Sequence, residues 1–359
     1  MIACSQAMKD AAAQSHAPAW SLTTSDGQDW AGRLLPGNLT RASGNSPRSR
    51  LGITIPETGR PSLIDQGMLP TGRDLHLSYR QHPTTETIRL FTGRLVESTL
   101  QRTASTWTMD AVGHEAVVAA DQIRPGDVAV PAKVADLVRA LVSRTLPTAV
   151  FAITGPALTA NVPAGIDMDG DPWQIVDKAC QSCGSEAYFD PEGICVVRAE
   201  PSLAQPGDHL RVGPGGTVTG YRAGHEAAYS RVELRYEDKA DPPNVRYGVW
   251  EDHRPDSPTS VERIGRTTLR EDYGSLLGLP PQAAADASAA ALAARAAGRG
   301  RALAVWHIPR PWLEPGDTVE VTLSGGPTEA QMVASVDIPI GPGIQVTTMR
   351  NTAYRIEAA

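Results

Sequence analysis

Residues 229–237 form a strand-like segment in which apolar and polar side chains alternate from Arg231 onward. Val232, Leu234 and Tyr236 fall on one side, and Arg231, Glu233 and Arg235 on the other. A side-chain period of two marks a strand with one wet face and rules out an amphipathic helix over the same span. The pattern recurs at Trp20–Thr24, Arg50–Ile55, Asp74–Arg80, Thr87–Leu95 and Thr106–Val112. It returns at Arg246–Glu251, Arg301–Ile308, Thr318–Leu323, Gln331–Ile338 and Ile344–Arg350. Turn pairs at Asp26-Gly27, Pro36-Gly37, Gly44-Asn45 and His82-Pro83 separate the first set. Short strands at this spacing predict a barrel or sandwich at each end of the chain.

Helical periods interrupt the strands at a few places. Ser5–Gln14 is a short Ala-rich segment near the start. Val134, Leu137, Val138, Leu141 and Val142 sit at i, i+3, i+4, i+7 and i+8 within 132–146, before Pro147. A second helix is predicted over Pro172–Cys183, with Asp171 as N-cap and Gly184 as its stop. A hairpin follows, Ala187–Phe189 and Ile194–Arg198, turning at Asp190-Pro191-Glu192-Gly193. Gly213–Gly216 reads as a linker, and the last helix as Gln282–Ala297, entered through Pro280-Pro281. The order is β, then α+β, then β. One echo links the two ends: Arg124-Pro-Gly-Asp127 resembles Glu314-Pro-Gly-Asp317, with Pro206-Gly207-Asp208 as a third, partial copy.

With 359 residues, 41% hydrophobic and 20% charged, the chain is long enough for two or three domains with real cores. A net charge of −7 argues against a general nucleic-acid binder, which needs clustered Lys and Arg. The charge is uneven. Residues 151–215 carry 3 basic and 9 acidic groups, net −6, whereas residues 1–150 carry 15 and 13, net +2. The acidic stretch is either a solvated face or a surface that repels passing DNA. Met1 to Ala19 lacks the layout of a secretory signal, and no apolar run is long enough to span a membrane. The expectation is a protein made and assembled in a cytoplasm.

Local chemistry fails at each candidate. Cys180-Gln-Ser-Cys183 with Cys195 downstream lacks a fourth ligand for zinc, and the helical spacing turns the thiols toward a core. Cys4 stands apart from them. Asp167, Asp169 and Asp171 open like a calcium loop, but Pro172 and Lys178 occupy the glycine and bidentate-acid positions. His114-Glu115 and His225-Glu226 each begin a zinc-protease motif whose second histidine is replaced, by Val118 and Tyr229. Gly213–Gly216 lacks the ending of a phosphate loop, and no nucleophile elbow occurs. No catalytic, cofactor-binding or metal-ligating residue is assigned, and the expectation is a chain that is not an enzyme.

Certain words, in order, carry a resemblance. They are Ala13–His16, Leu35-Pro-Gly-Asn-Leu39, Pro47-Arg-Ser-Arg50, Leu69–Leu75 and Phe91-Thr-Gly-Arg-Leu-Val96. Asp171-Pro-Trp-Gln-Ile-Val176 and Ala187-Tyr-Phe-Asp190-Pro-Glu-Gly193 follow, then Pro311–Val321, Val336–Gly341 and Met349-Arg350. Over nearly its full length the chain resembles the tail hub, or minor tail, proteins of actinobacterial phages. That resemblance implies a mainly β fold with α+β insertions: two β-barrel-like, tail-tube-related domains joined by a smaller α+β region. The segments would be an arm at 1–18, a first barrel at 19–131, a middle region at 132–215 and a second barrel at 216–359. It further implies a homotrimer at the virion tail tip. The tail tube or distal tail protein would lie above, fibre, spike or tip proteins below, and DNA and the tape measure protein in the lumen. The sequence ends soon after the second barrel, so wall-degrading or receptor-binding activity is expected in another protein. The runner-up is a peripheral adaptor or carbohydrate-binding protein, which aromatics at 5% of the chain do not favour. An enzyme with a dispersed site comes third.

Overall fold

The computed structural model describes residues 1–14, 18–25, 27, 35–56, 74–101, 106–163, 166–213, 215–224, 229–238, 240–257, 259–276, 279–297, 302–324 and 328–350. The chain opens with α1 (Gln6–Gln14) and six strands: β1 (Pro18–Thr24), β2 (Leu35–Ala42), β3 (Ser49–Pro56), β4 (Asp74–Gln81), β5 (Thr87–Gln101) and β6 (Thr106–Val112). Alternation decides which face is buried. Leu51, Ile53 and Ile55 of β3, and Leu75, Leu77 and Tyr79 of β4, are buried while their neighbours reach the surface. Trp20 of β1 meets Tyr79 edge-on, with ring centroids 5.1 Å apart.

The middle of the chain holds α2 (His114–Ala119), α3 (Val134–Thr145), β7 (Phe151–Ile153), α4 (Pro172–Gln181), β8 (Ser185–Phe189) and β9 (Cys195–Ala199). The predicted stripe of α3 (Val134, Leu137, Val138, Leu141 and Val142) is buried entire. It packs with Trp173 and Val176 of α4 onto a small sheet of order β7-β9-β8.

Four strands follow, β10 (Asp208–Arg211), β11 (Val218–Gly224), β12 (Arg231–Asp238) and β13 (Val245–Glu251), then α5 (Val261–Ile264), β14 (Thr268–Leu276) and α6 (Gln282–Ala297). The chain finishes with β15 (Ala302–His307), β16 (Thr318–Thr322), β17 (Thr328–Ile340) and β18 (Gln345–Arg350). Strands β13-β12-β14 form their own sheet, β12 running antiparallel to β13 and parallel to β14. Its apolar side, Val232, Leu234 and Tyr236, is covered by Ala285, Ala289 and Leu292 of α6. The helix can come that close because residue 248 is glycine: a Cβ there would stand 2.1 Å from the Ala285 carbonyl oxygen.

The remaining strands belong to one 12-stranded sheet, running β1-β4-β5-β6-β3-β2-β17-β18-β15-β11, with β16 on β17 and β10 on β16. The fold is therefore mainly β, with large antiparallel sheets. These sheets are not closed into barrels, which corrects the expectation of barrel closure. The reason lies in β17, which is long enough to hold β16 with Thr328–Met332 and then β2 with Ser335–Ile340. That second pairing welds the two β regions into one branched sheet whose outer strands are β1, β11 and β10. An isolated parallel bridge, Val212 to Val218, links the residue after β10 to the start of β11. One hydrophobic core spans both regions, from Leu22 and Leu51 to Val305 and Ile338. No helix among the described residues is long and apolar enough to cross a membrane.

Candidate functional site

Asp171 caps α4, accepting from the backbone N–H of Trp173 at 2.8 Å and of Gln174 at 3.2 Å. Cys180 and Cys195 are buried in the middle core, and Cys183 is half-buried. Burial pushes the Cys180 thiol up and the Cys195 thiol to about 12, which favours the protonated form of both. Asp167, Asp169 and Asp171 line one cleft with Lys178. Among the described residues no three His, Cys, Asp or Glu side chains are placed to hold a metal ion. His225 and Glu226 lie outside the described residues.

His114 and Glu115 open α2 at the junction between the first β region and the β8–β9 hairpin. The Nε2 of His114 lies 3.1 Å from Asp74 Oδ1, and its ring stands edge-on to Phe189 at 5.2 Å. Oε1 of Glu115 accepts from the Phe189 N–H at 3.0 Å, while Oε2 is buried without a hydrogen-bond partner. Burial raises the Glu115 pKa, against the pull of the Phe189 N–H and of Arg48. Val118, at the position of the missing second histidine, is fully buried in the middle core. The pair acts here as a buried peg between two units.

The echoed tetrapeptides adopt one turn. In each, the Asp N–H donates to the carbonyl of the first residue, at 3.0 Å for Asp127 and 3.1 Å for Asp317. The Asp side chain accepts that first residue's own N–H, at 3.1 and 2.7 Å. The glycines sit at φ +95° and +92°, conformations that Cβ-bearing residues avoid. Gly207 of the partial copy instead donates to the Thr318 carbonyl.

The turn at 314–317 anchors a joint between all three parts of the chain. Arg41 on β2 is 1% exposed, with its guanidinium 3.5 Å from Glu314. Burial lowers its pKa and Glu314 pushes it back up. Arg48 donates to the Pro315 carbonyl at 2.6 Å and lies 3.7 Å over the Tyr188 ring. Arg198 donates to Glu186 at 2.8 Å, and Asp317 pairs with the Met1 ammonium. Nothing local in the sequence announces this joint, because its members come from distant segments.

The sheet edges differ in how they are guarded. On β13, Val249 donates its N–H to Asp286 at 2.9 Å and Tyr247 accepts from Gln282 at 2.8 Å, so α6 occupies backbone groups left over by the ladder to β12. On β14, Arg270, Glu271 and Asp272 place charges along the edge. By contrast β1 has no charged residue, and β11 has Arg222 alone. Each is paired on one side, β1 with β4 and β11 with β15, and Thr219 to Gly224 offers an open ladder among the described residues. Tyr221 on β11 is exposed. Trp107 and Trp173 are buried and present no flat platform for a sugar.

No protein-family model matches the chain, and no curated protein sequence is significantly similar to it. Solved structures are. A tail protein from Neisseria meningitidis MC58 superposes with a TM-score of 0.67 at 15% identity, covering 94% of this chain and 97% of its own. The 43 kDa tail protein of prophage MuSo2 from Shewanella oneidensis gives 0.68 at 14% identity, covering 94% and 99%. A component of the E. coli type VI secretion system, itself structurally similar to T4 bacteriophage tail proteins, gives 0.55 at 10% identity, covering 94% and 79%. At these identities the likeness concerns the fold: this chain has the fold of phage tail and secretion-system tail-like proteins.

Proposed function

We propose that the chain is a structural tail hub protein that trimerises at the distal end of a phage-type tail tube. There it adapts the sixfold symmetry of the tube to a threefold tip and forms part of the DNA-transit channel. The observation that carries this reading is the single 12-stranded sheet in which two outer strands, β1 and β11, carry no charge or Arg222 alone. Edges left bare in a soluble sheet are normally covered in the assembly. Joining β11 of one copy to β1 of the next is a heterologous contact, which builds rings when the rotation closes. Three copies would then present six β sets to the tube. The full-length likeness to tail proteins supports the same reading.

In this reading residues 19–131 and 216–359 supply the two ring-forming units, and residues 132–215 the layer nearer the tip. The tube or distal tail protein sits above and fibre, spike or tip proteins below. The acidic stretch 151–215 faces the lumen, where it keeps DNA and the tape measure protein from sticking. The protein resides at the virion tail tip and has no catalytic role. The test is the mass of the chain alone and with tail tubes, together with imaging of labelled particles. A trimer, free or only on the tube, with label on the axis is the expected result. A closed dimer, or label on the rim with glycan binding, overturns it in favour of a peripheral adaptor.

A further inference from the structure

A cleft of about 490 Å³ lies between α4 with its preceding loop and the N-terminal half of α6. That volume is in the range that buries a ligand or peptide side chains, roughly 300–1,000 Å³. Its two walls differ in chemistry. One carries Asp167, Asp169 and Asp171, with Lys178 as the single cation among the lining residues. The other is the outward face of α6, where Ala284, Ala287 and Ser288 recur at helical spacing, with Pro281 just before the helix, and bring no charge. Ala284 and Ala287 are exposed there, although the outward face of a surface helix normally carries charged residues. The buried Ile175 and the half-buried Ile166 add apolar surface on the acidic side.

An occupant must therefore present methylenes or methyls to α6 and positive charge to the aspartates. Nucleic acid meets the aspartate wall with the wrong sign. We propose that this cleft docks a peptide segment of a partner protein in which Lys or Arg is flanked by apolar residues, and that docking staples the middle unit to the β12–β14 unit. Lysine and arginine suit it because their long stems cover apolar surface while the heads reach the carboxylates. Asp171 is held by its N-cap bonds, so Asp169, which is exposed, is the natural site of recognition.

The test uses the full chain and a fluorescent peptide of about twelve residues alternating leucine and lysine, against a matched leucine–glutamate peptide. Anisotropy at physiological salt measures affinity, and hydrogen exchange maps the contact. The lysine peptide is expected to bind and to protect residues 161–182 and 280–288. Asp169→Lys and Ala287→Arg should each weaken it about tenfold, a difference of ~1.4 kcal/mol, with an unchanged melting temperature. Asp169→Asn, a milder change, should weaken it less. Absence of binding by the lysine peptide, equal binding of the glutamate peptide, protection elsewhere, or indifference to folded variants overturns the proposal.

Discussion

Two residues at the joints between the parts are informative, one through its buried charge and one through its backbone. Glu115 has one carboxylate oxygen on the Phe189 N–H and the other buried without a hydrogen-bond partner. Its folded pKa is raised above the ordinary 4.5, so the fold favours the protonated form. The stabilisation from that proton is complete below about pH 4.5 and is lost as pH rises through the higher folded value. Glu115→Gln keeps an acceptor for Phe189 and removes the titration. Melts at pH 5 and pH 8 should therefore differ less in the variant than in the parent, and an unchanged difference would assign the pH dependence elsewhere. Gly316 is the second. At φ +92° an alanine is strained, and its Cβ would meet Arg198 Nη2 at 2.7 Å and Pro201 Cγ at 3.1 Å. Gly316→Ala should cost on the order of 1–3 kcal/mol in denaturant titrations. Gly126→Ala, in the same turn with nothing within 4 Å of a Cβ, should cost less.

Strand edges govern behaviour at the next scale. Tyr221 and Arg222 are neighbours on β11, so one N–H faces β15 and the other faces outward. Proline at the inward position should destabilise the chain, whereas proline at the outward position should leave its melt intact and abolish only the proposed trimer, read by mass. The guard on β13 is tested by Gln282→Ala with Asp286→Ala, which uncovers the backbone of Tyr247 and Val249 and should raise light scattering on concentration. These edges also show how legible the chain was. Strands such as β3, β4 and β12 and helix α3 follow from period alone, because one face of each is buried in a core. Strand β2 did not, since Pro36-Gly37 reads as a turn but sits at a register shift within the strand. Neither did β14, whose consecutive Arg270, Glu271 and Asp272 break the alternation, or β7 and β10, which are only three and four residues long. After Gly213–Gly216, Thr217-Val-Thr219 reads as strand-like, but the continuation of β11 through the exposed Tyr221 to Gly224 has no alternation to mark it. The His114-Glu115 pair reads locally as the start of a zinc-protease motif, while its role as a peg depends on Phe189, which no local pattern connects to it.

For the whole molecule, the pairing of β2 with β17 matters most. It predicts that amides of these two strands exchange at one rate, as part of a single cooperative unit spanning both β regions. Distinct rates would mean two units that merely touch. The acidic middle and the cationic preference expected of its cleft belong to the same scale, since both concern which charges the molecule admits to its surface. The shared sheet also has a temporal side. Strand β2 leaves the ribosome about three hundred residues before its partner, and long-range pairings of this kind close slowly. Throughout that interval the flank of β2 destined for β17 is bare and able to pair with the wrong chain. Synthesis of such a protein therefore favours conditions that keep nascent copies apart until Ser335 to Ile340 have emerged, which makes expression at low temperature or with a holdase the sensible route to soluble material.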